Sequence, residues 1–199
     1  MTIGIIGAGS IGAAFARRLA SANIPAILSN SRGPASLAGL VAEIGGPLRA
    51  GTREEAARQD LVLVAVNWSK LPEALGGLGD FGGRIVIDAN NPIEAPTFQP
   101  IDLQGRLSTE AFADLVPDAR VVKAFNHLPA KLLAEEPGVA GGRRVLFLAG
   151  SDATAKAEVA GLIDRLGFFG VDLGRVDEGG RAINIPGGAL PILNLVRFA

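Results

Sequence analysis

The chain has 199 residues, with 19 Lys and Arg against 20 Asp and Glu, a single histidine and no cysteine. This balance leaves no basic surface for nucleic acid, and the residue counts exclude disulfides, a cysteine nucleophile and thiolate or multi-histidine metal sites, so we expect no metal. Because 48% of the residues are hydrophobic and no apolar run is long enough to span a membrane, we expect a cytoplasmic protein with one sizeable core.

Short apolar runs alternate with helical stretches along the chain. The predicted strands are Ile3–Ile6, Ala26–Ser29, Leu48–Ala50, Leu61–Val66, Arg84–Ile87, Arg120–Ala124, Arg144–Ala149 and Phe169–Leu173. The predicted helices are Ile11–Ala22, Pro34–Ile44, Glu54–Arg58, Leu71–Leu75, Thr109–Leu115, Ala130–Glu135 and Ala153–Leu166. Runs of consecutive Val and Ile are typical of strands that are covered on both faces. We therefore predict a Rossmann-type, doubly wound α/β fold with a mostly parallel sheet and a short C-terminal extension.

Two stretches do not follow this alternation. The first, 89–104, contains three prolines, and a loop of this length in a compact domain is often functional. The second, 177–188, is rich in glycine and precedes an apolar segment, 189–199, whose apolar residues recur at helical spacing. We expect this apolar segment to join the core or to form the contact of a homodimer.

The first predicted strand leads directly into a G-x-G-x-x-G turn, and a helix follows it. Gly7 permits the tight turn, Gly9 has no side chain to block a pyrophosphate, and Gly12 lets the helix lie close to the sheet. The helix N-terminus offers free N–H groups and a positive dipole end to phosphates. The predicted pyrophosphate site consists of Gly7, Ala8, Gly9, Ser10, Ile11 and Gly12.

The second predicted strand ends without the carboxylate that would bind the ribose of NAD. Asn30, Ser31 and Arg32 stand there instead, and a hydroxyl with a guanidinium fork suits the 2′-phosphate of NADP. Pro34 is a good first residue for the next helix, and Ser36 could add a second hydroxyl. The pattern predicts selection of NADP(H), the alternative being an Arg32 that is simply exposed in a loop.

Four stretches together resemble one known family: GIIGAGSIG, SNSRGP, IDANNP and VVKAFNHLPA, with GRAINIPGGALPILNLVRF as a looser fifth. They are similar to the NADP-dependent oxidoreductases that use the deazaflavin coenzyme F-420 (also written F420), to which the reductase domain of the STEAP ferric reductases is related. The resemblance covers nearly the whole chain. It implies a Rossmann sheet whose short C-terminal part closes over the nicotinamide. It also implies that F-420 or a flavin stacks on that ring as the hydride acceptor.

The resemblance assigns further residues to the ends of the fourth, fifth and sixth predicted strands, where open α/β sheets bind ligands. The implied cofactor contacts there are Val66, Asn67, Trp68, Asn90, Asn91 and Pro92. Asn126 and His127 would border the hydride-transfer space as the catalytic residues. Alternatively, His127 caps the helix that begins after Pro129, and Trp68 serves packing.

The sequence thus predicts an NADPH-dependent oxidoreductase that passes a hydride to a small-molecule flavin or deazaflavin. Such chemistry is carried by the cofactors, so few acid–base residues are expected. Two alternatives remain: a reductase of small carbonyls or imines, which a large all-helical domain would favour, and a non-catalytic NADPH sensor. We predict an NADP-binding domain over 1–150. A small part, 151–199, would pack on it, close the nicotinamide site and form a homodimer.

Overall fold

The computed structural model describes residues 1–198 and is built around one central sheet. The strands are β1 (Ile3–Ile6), β2 (Ala26–Ser29), β3 (Leu48–Ala50), β4 (Leu61–Val64), β5 (Ile85–Asp88), β6 (Ile93–Glu94), β7 (Gln99–Pro100), β8 (Arg120–Ala124), β9 (Gly138–Val139), β10 (Gly142–Gly150), β11 (Phe169–Asp172) and β12 (Val196–Arg197). The α-helices are α1 (Ser10–Ser21), α2 (Ala38–Ile44), α3 (Arg53–Ala57), α4 (Leu71–Leu75), α5 (Ser108–Ala113), α6 (Ala130–Ala134) and α7 (Ala153–Arg165). Short 3-10 turns at Pro34–Leu37 and Trp68–Lys70 lead into α2 and α4.

The strand order is β11-β10-β8-β5-β4-β1-β2-β3. All neighbours from β3 to β8 pair in parallel, which is the Rossmann order with β8 as the sixth strand. β10 then runs antiparallel to β8, and β11 runs parallel to β10. The predicted fold class is confirmed, and the strand order reverses between β1 and β4, the point where such sheets bind ligands.

Helices cover both faces of the sheet, as its apolar strands predict. One face packs against α1 and α7, whose buried residues include Phe15 and Leu162. The other face packs against the short helices α3, α4 and α5. The cluster on this face buries Phe112 of α5 and Phe81 of the loop before β5. A third, smaller cluster lies on β10 and β11 and includes Phe147 and Ile183, the latter from the stretch that follows β11. Among residues 1–198, no helix is both long and apolar enough to cross a bilayer.

The predicted strands and helices all begin and end within two residues of the observed ones, with Pro34–Ile44 divided into a 3-10 turn and α2. The strand predicted to reach Val66 ends at Val64, because the Val66 N–H donates to the Asn90 side chain instead of a neighbouring strand. The long loop at 89–104 is not wholly irregular, since β6 and β7 form a two-stranded hairpin within it.

The spacing of apolar residues in the C-terminal segment predicts a helix there, and this prediction is wrong. Residues 189–198 contain no helix, and Pro191 interrupts the run. Val196 and Arg197 instead pair antiparallel with β10. The division at residue 150 stays a prediction, with β11 lying in the same sheet as β10 and Ala199 outside the described residues.

Candidate active site

The three glycines of the predicted pyrophosphate loop occupy different surroundings. A Cβ at Gly7, where φ is +109°, would lie 2.1 Å from the Ala65 carbonyl oxygen, and one at Gly12 would lie 1.9 Å from the Gly7 oxygen. A Cβ at Gly9 would meet nothing within 4 Å. Gly7 and Gly12 are therefore required by packing, whereas Gly9 keeps open the space outside β1.

This open space lies at the N-terminus of α1. Gly9 is the N-cap residue, and no side chain caps the helix there. Ser10 is exposed, while Ala8 and Ile11 are half-buried and pack against the core. A 12-residue helix with uncapped N–H groups favours an anion at this end, so the loop suits a pyrophosphate.

The predicted 2′-phosphate residues form a separate turn beyond β2. The Asn30 side chain accepts from the Arg32 N–H at 3.0 Å and donates to the Ser36 hydroxyl at 2.9 Å. The Ser36 hydroxyl in turn donates to the Gly33 carbonyl at 2.7 Å. Asn30 and Ser36 thus shape the turn, and the predicted helix start at Pro34 is confirmed as a 3-10 turn that leads into α2.

The side chains of Ser31 and Arg32 remain available at the surface. Both residues are exposed, and within residues 1–198 Arg32 forms no ion pair. A free guanidinium beside a hydroxyl, with no carboxylate in the turn, matches a phosphate ligand.

The residues predicted after β4 and β5 are tied to one another. Asn90 is buried, and its side-chain oxygen accepts from the Val66 N–H at 2.9 Å. Asn67 is exposed, and Trp68 is half-buried against the second apolar cluster, so the packing alternative for Trp68 has support. Pro92 is buried and its carbonyl accepts from Ile101. Asn90 and Pro92 therefore shape the wall of the site.

Asn91 and Asn126 join the strand ends to the segment at 183–185, which follows β11. Their side chains bond directly, with the Asn126 Nδ2 donating to the Asn91 Oδ1 at 2.9 Å. Asn126 also donates to the Ile183 carbonyl at 2.7 Å, and Asn91 accepts from the Ile185 N–H at 3.0 Å. The loops after β5 and β8 and the segment at 183–185 thus meet.

The bend that carries Asn126 to this position comes from Phe125. Its φ of +63° lies in the left-handed region, which is rare for a bulky residue. Its ring is fully buried and packs edge-on against Phe15 of α1, with ring centroids 4.9 Å apart. Packing therefore holds a strained backbone at the end of β8.

His127 is not at the surface of the site. Its side chain is fully buried and its ring lies 5.0 Å from that of Phe147; within residues 1–198 neither ring nitrogen has a partner with hydrogen-bond geometry. Burial lowers the pKa of His127 to about 4, against a smaller opposing effect of the Val145 backbone. The side chain does not cap α6, so that alternative is wrong. Because the His127 side chain is fully buried in this conformation, a catalytic role would require the segment whose Ile192 bonds to the His127 carbonyl to move.

Sequence reasoning missed two buried charges beneath these loops. Lys123 of β8 and Asp88 of β5 are both fully buried and form an ion pair of 3.0 Å. The available signal was a lysine inside a predicted buried strand. Two clefts, of about 350 and 570 Å³, lie elsewhere and contain none of the predicted site residues.

Comparison with known proteins decides the family. Residues 2–92 match the family model described as NADP oxidoreductase, coenzyme F420-dependent. A protein of Arthrobacter sp. FB24, provisionally named an F420-dependent NADP-reductase, is 27% identical and superposes with a TM-score of 0.78, over 99% of this chain and 100% of that one. A hypothetical protein of Sinorhizobium meliloti is 47% identical, with a TM-score of 0.93 over 99% of this chain and 96% of that one.

The chain belongs to the coenzyme F420-dependent NADP oxidoreductase family. More distant structures share the fold alone. An imine reductase of Streptomyces aurantiacus is 19% identical with a TM-score of 0.60, and this chain covers 57% of it. A reductive aminase of Aspergillus terreus, solved with NADPH, has the same identity and a TM-score of 0.62, with 55% of its length covered.

NADP(H), the cofactor of this family, fits the residues that are present. The space beside Gly9 and the uncapped start of α1 would hold the pyrophosphate, and Ser31 and Arg32 would hold the 2′-phosphate. The nicotinamide would then lie toward the Val66 loop and Asn91, across the point where the strand order reverses.

Proposed function

We propose that this member of the family reduces a flavin or a deazaflavin, such as coenzyme F-420, with NADPH. When bound, NADPH supplies the hydride. The protein's own residues bind the two phosphate groups, orient the nicotinamide against the loops after β4, β5 and β8, and exclude water with the C-terminal segment.

One observation carries this proposal: within residues 1–198, neither His127 nor the Glu94 carboxyl is placed and protonated to donate a proton at the site. The single histidine, His127, is fully buried, and its pKa of about 4 leaves it neutral. The carboxyl of Glu94, which follows the loop after β5, accepts a hydrogen bond from the Ser69 N–H at 2.7 Å, and contacts with Ser69 lower its pKa, so it stays ionised. A carbonyl or imine needs a proton at oxygen or nitrogen as the hydride arrives, whereas a flavin-like ring spreads the charge over its own atoms. The arrangement thus favours a flavin-like acceptor, as does the name given to the Arthrobacter relative.

A panel of acceptors tests the proposal. NADPH oxidation is followed with F-420, its precursor, FMN, FAD, riboflavin and ferric chelates, each with the Gly9→Val variant as a control for adventitious reduction. We expect turnover with at least one flavin or deazaflavin and none with the variant. Turnover only with small ketones or imines would contradict the proposal in favour of a carbonyl or imine reductase. Binding of NADPH without oxidation by any acceptor would indicate a sensor.

We also propose that the protein is a homodimer that uses its C-terminal segment. Ile192 and Phe198 are exposed by 69% and 59%, and Leu193 and Leu195 are also exposed. Such a run of apolar side chains at the surface is typical of an interface. Light scattering should report twice the 20.4 kDa chain mass at micromolar concentration and a single chain mass for the Leu195→Glu variant. A monomeric wild-type protein would contradict this.

A further inference from the structure

The Lys123–Asp88 ion pair lies directly under the predicted nicotinamide region. The two residues are in register on the neighbouring strands β8 and β5, and both side chains are fully buried. Withdrawing two charges from water is expensive, and apolar residues of similar size often hold two strands together equally well. The charges therefore call for an explanation other than strand pairing.

Their hydrogen bonds extend from the pair into the loops above. The Lys123 ammonium also donates to the Asn90 carbonyl at 2.7 Å. The Asp88 carboxylate accepts from the Asn90 N–H at 3.0 Å and from its side-chain Nδ2 at 2.9 Å. The remaining polar atom of the Asn90 side chain, Oδ1, accepts from the Val66 N–H. Lys123, Asp88 and Asn90 thus form one continuous hydrogen-bond network, which ends on the loop after β4.

We propose that Lys123 is a positioning residue for the nicotinamide half of the cofactor. An apolar pair could join β5 to β8, but it could neither donate to the Asn90 carbonyl nor accept from the Asn90 N–H and side-chain Nδ2. Without that bonding Asn90 would be free to rotate, and the Val66 N–H would lose its acceptor. The loop after β4 and the adjacent Asn91 would then no longer be held at the spacing that the nicotinamide requires. This inference rests on the nicotinamide placement given under the proposed function.

The adenosine half of the site has no part in this hydrogen-bond network. Binding to the adenosine half can therefore be measured separately from binding to the nicotinamide half. The fragment 2′,5′-ADP carries the adenosine, the 2′-phosphate and the 5′-phosphate that the glycine loop would hold, but no nicotinamide, so it reports on the glycine loop and Arg32 alone. We measure the Kd of NADPH and of 2′,5′-ADP by titration calorimetry and take their ratio. In Lys123→Met we expect NADPH to weaken about 10-fold, the effect of losing about one hydrogen bond, and 2′,5′-ADP to remain within about 2-fold.

Two further variants separate positioning from stability. Lys123→Met leaves Asp88 buried without its partner, so it is paired with the double variant Asp88→Leu/Lys123→Met, which removes both charges. The double variant should regain thermal stability but not the NADPH to 2′,5′-ADP ratio, since Asn90 still lacks its anchors. Asn90→Ala should raise the ratio of the NADPH Kd to the 2′,5′-ADP Kd, with the ion pair intact.

Lys156→Met is the control, because it breaks a more exposed lysine–aspartate pair of the same 3.0 Å length, with Asp172 of the edge strand β11. It should leave the ratio unchanged. An unchanged ratio in the folded double variant and in Asn90→Ala would overturn the inference while leaving the proposed function in place. A wild-type protein that binds NADPH no more tightly than 2′,5′-ADP would instead overturn the nicotinamide placement, and the inference with it.

Discussion

The two halves of the candidate site are built in opposite ways. At the adenosine half, Gly9, Ser31 and Arg32 are exposed. Within residues 1–198, the space beside Gly9 is open, and the side chains of Ser31 and Arg32 have no partner. At the nicotinamide half, Asn90 and Asn126 are buried, and their amides are engaged with other loops. The first half presents free groups to a ligand, whereas most polar groups of the second bond to its own loops; only the buried Asn126 Oδ1 among these amide atoms lacks a partner in residues 1–198. Substitutions should therefore affect binding directly in the first half and through the geometry of loops in the second.

The largest effect is expected at Gly9. Its φ of −76° and the absence of atoms within 4 Å of a Cβ allow Gly9→Val to fold. The branched side chain would fill the space that the pyrophosphate needs, so NADPH and 2′,5′-ADP should both weaken by more than about 1,000-fold, or about 4 kcal/mol. Calorimetric titration measures this, and circular dichroism checks the fold.

Gly161→Val is the control for Gly9→Val, because Gly161 is an exposed glycine of α7 that also has open space around its Cβ. It should bind NADPH as the wild-type protein does. Gly12→Ala provides the contrast, since its Cβ would overlap a backbone oxygen at 1.9 Å and it should lose stability. A folded Gly9→Val variant with near-normal affinity would show that the loop has another role.

The second effect is cofactor selection by Arg32. Removing one charge-assisted contact to phosphate is worth about 1.5–3 kcal/mol, so Arg32→Ala should weaken NADPH by about 10- to 150-fold and leave NADH nearly unchanged. Arg58→Ala removes another exposed arginine that forms no ion pair among the described residues, and it should change neither affinity. Equal weakening of NADPH and NADH by Arg32→Ala would contradict the selection of the 2′-phosphate.

The same contrast explains what the sequence could predict. The glycine loop, the NADP turn and strands such as β1 and β8 depend on local patterns, and their positions follow from spacing alone. The roles of Asn90 and Asn126 depend on hydrogen-bond partners 24 and 57 residues away in the sequence, which no spacing rule reveals. His127 likewise follows a strand at a ligand-binding edge, but the backbone turn at Phe125 and the C-terminal segment enclose it.

The third effect concerns the enclosed His127 and the pH dependence of stability. Its pKa is about 4 in the folded protein and near 6.5 when unfolded, so the unfolded chain binds more protons between these values and stability falls as pH falls through this window. From about pH 7.5 to pH 5 the loss should be about 2 kcal/mol. In His127→Phe, which keeps a ring against Phe147, this part of the slope should disappear. Urea unfolding at the two pH values measures it, and an unchanged slope in the variant would show that His127 is solvated in solution.

The smallest effect is expected for the same variant on turnover. Because His127 is fully buried and its ring nitrogens have no partner with hydrogen-bond geometry in residues 1–198, it should act on catalysis only through packing beneath the segment at 183–192. The Ile192 N–H of that segment donates to the His127 carbonyl at 2.7 Å. That bond uses the backbone and survives the substitution. His127→Phe should therefore lower kcat by less than about 10-fold, below the ~10²–10⁴ that a general acid or base contributes. The rate is measured with the acceptor that the panel identifies, at a pH where both proteins are folded. A loss of several thousand-fold, with NADPH affinity unchanged, would mean that the C-terminal segment opens and that His127 delivers a proton. The nicotinamide half would then be a moving part of the site, and a carbonyl or imine acceptor would fit it better than a flavin.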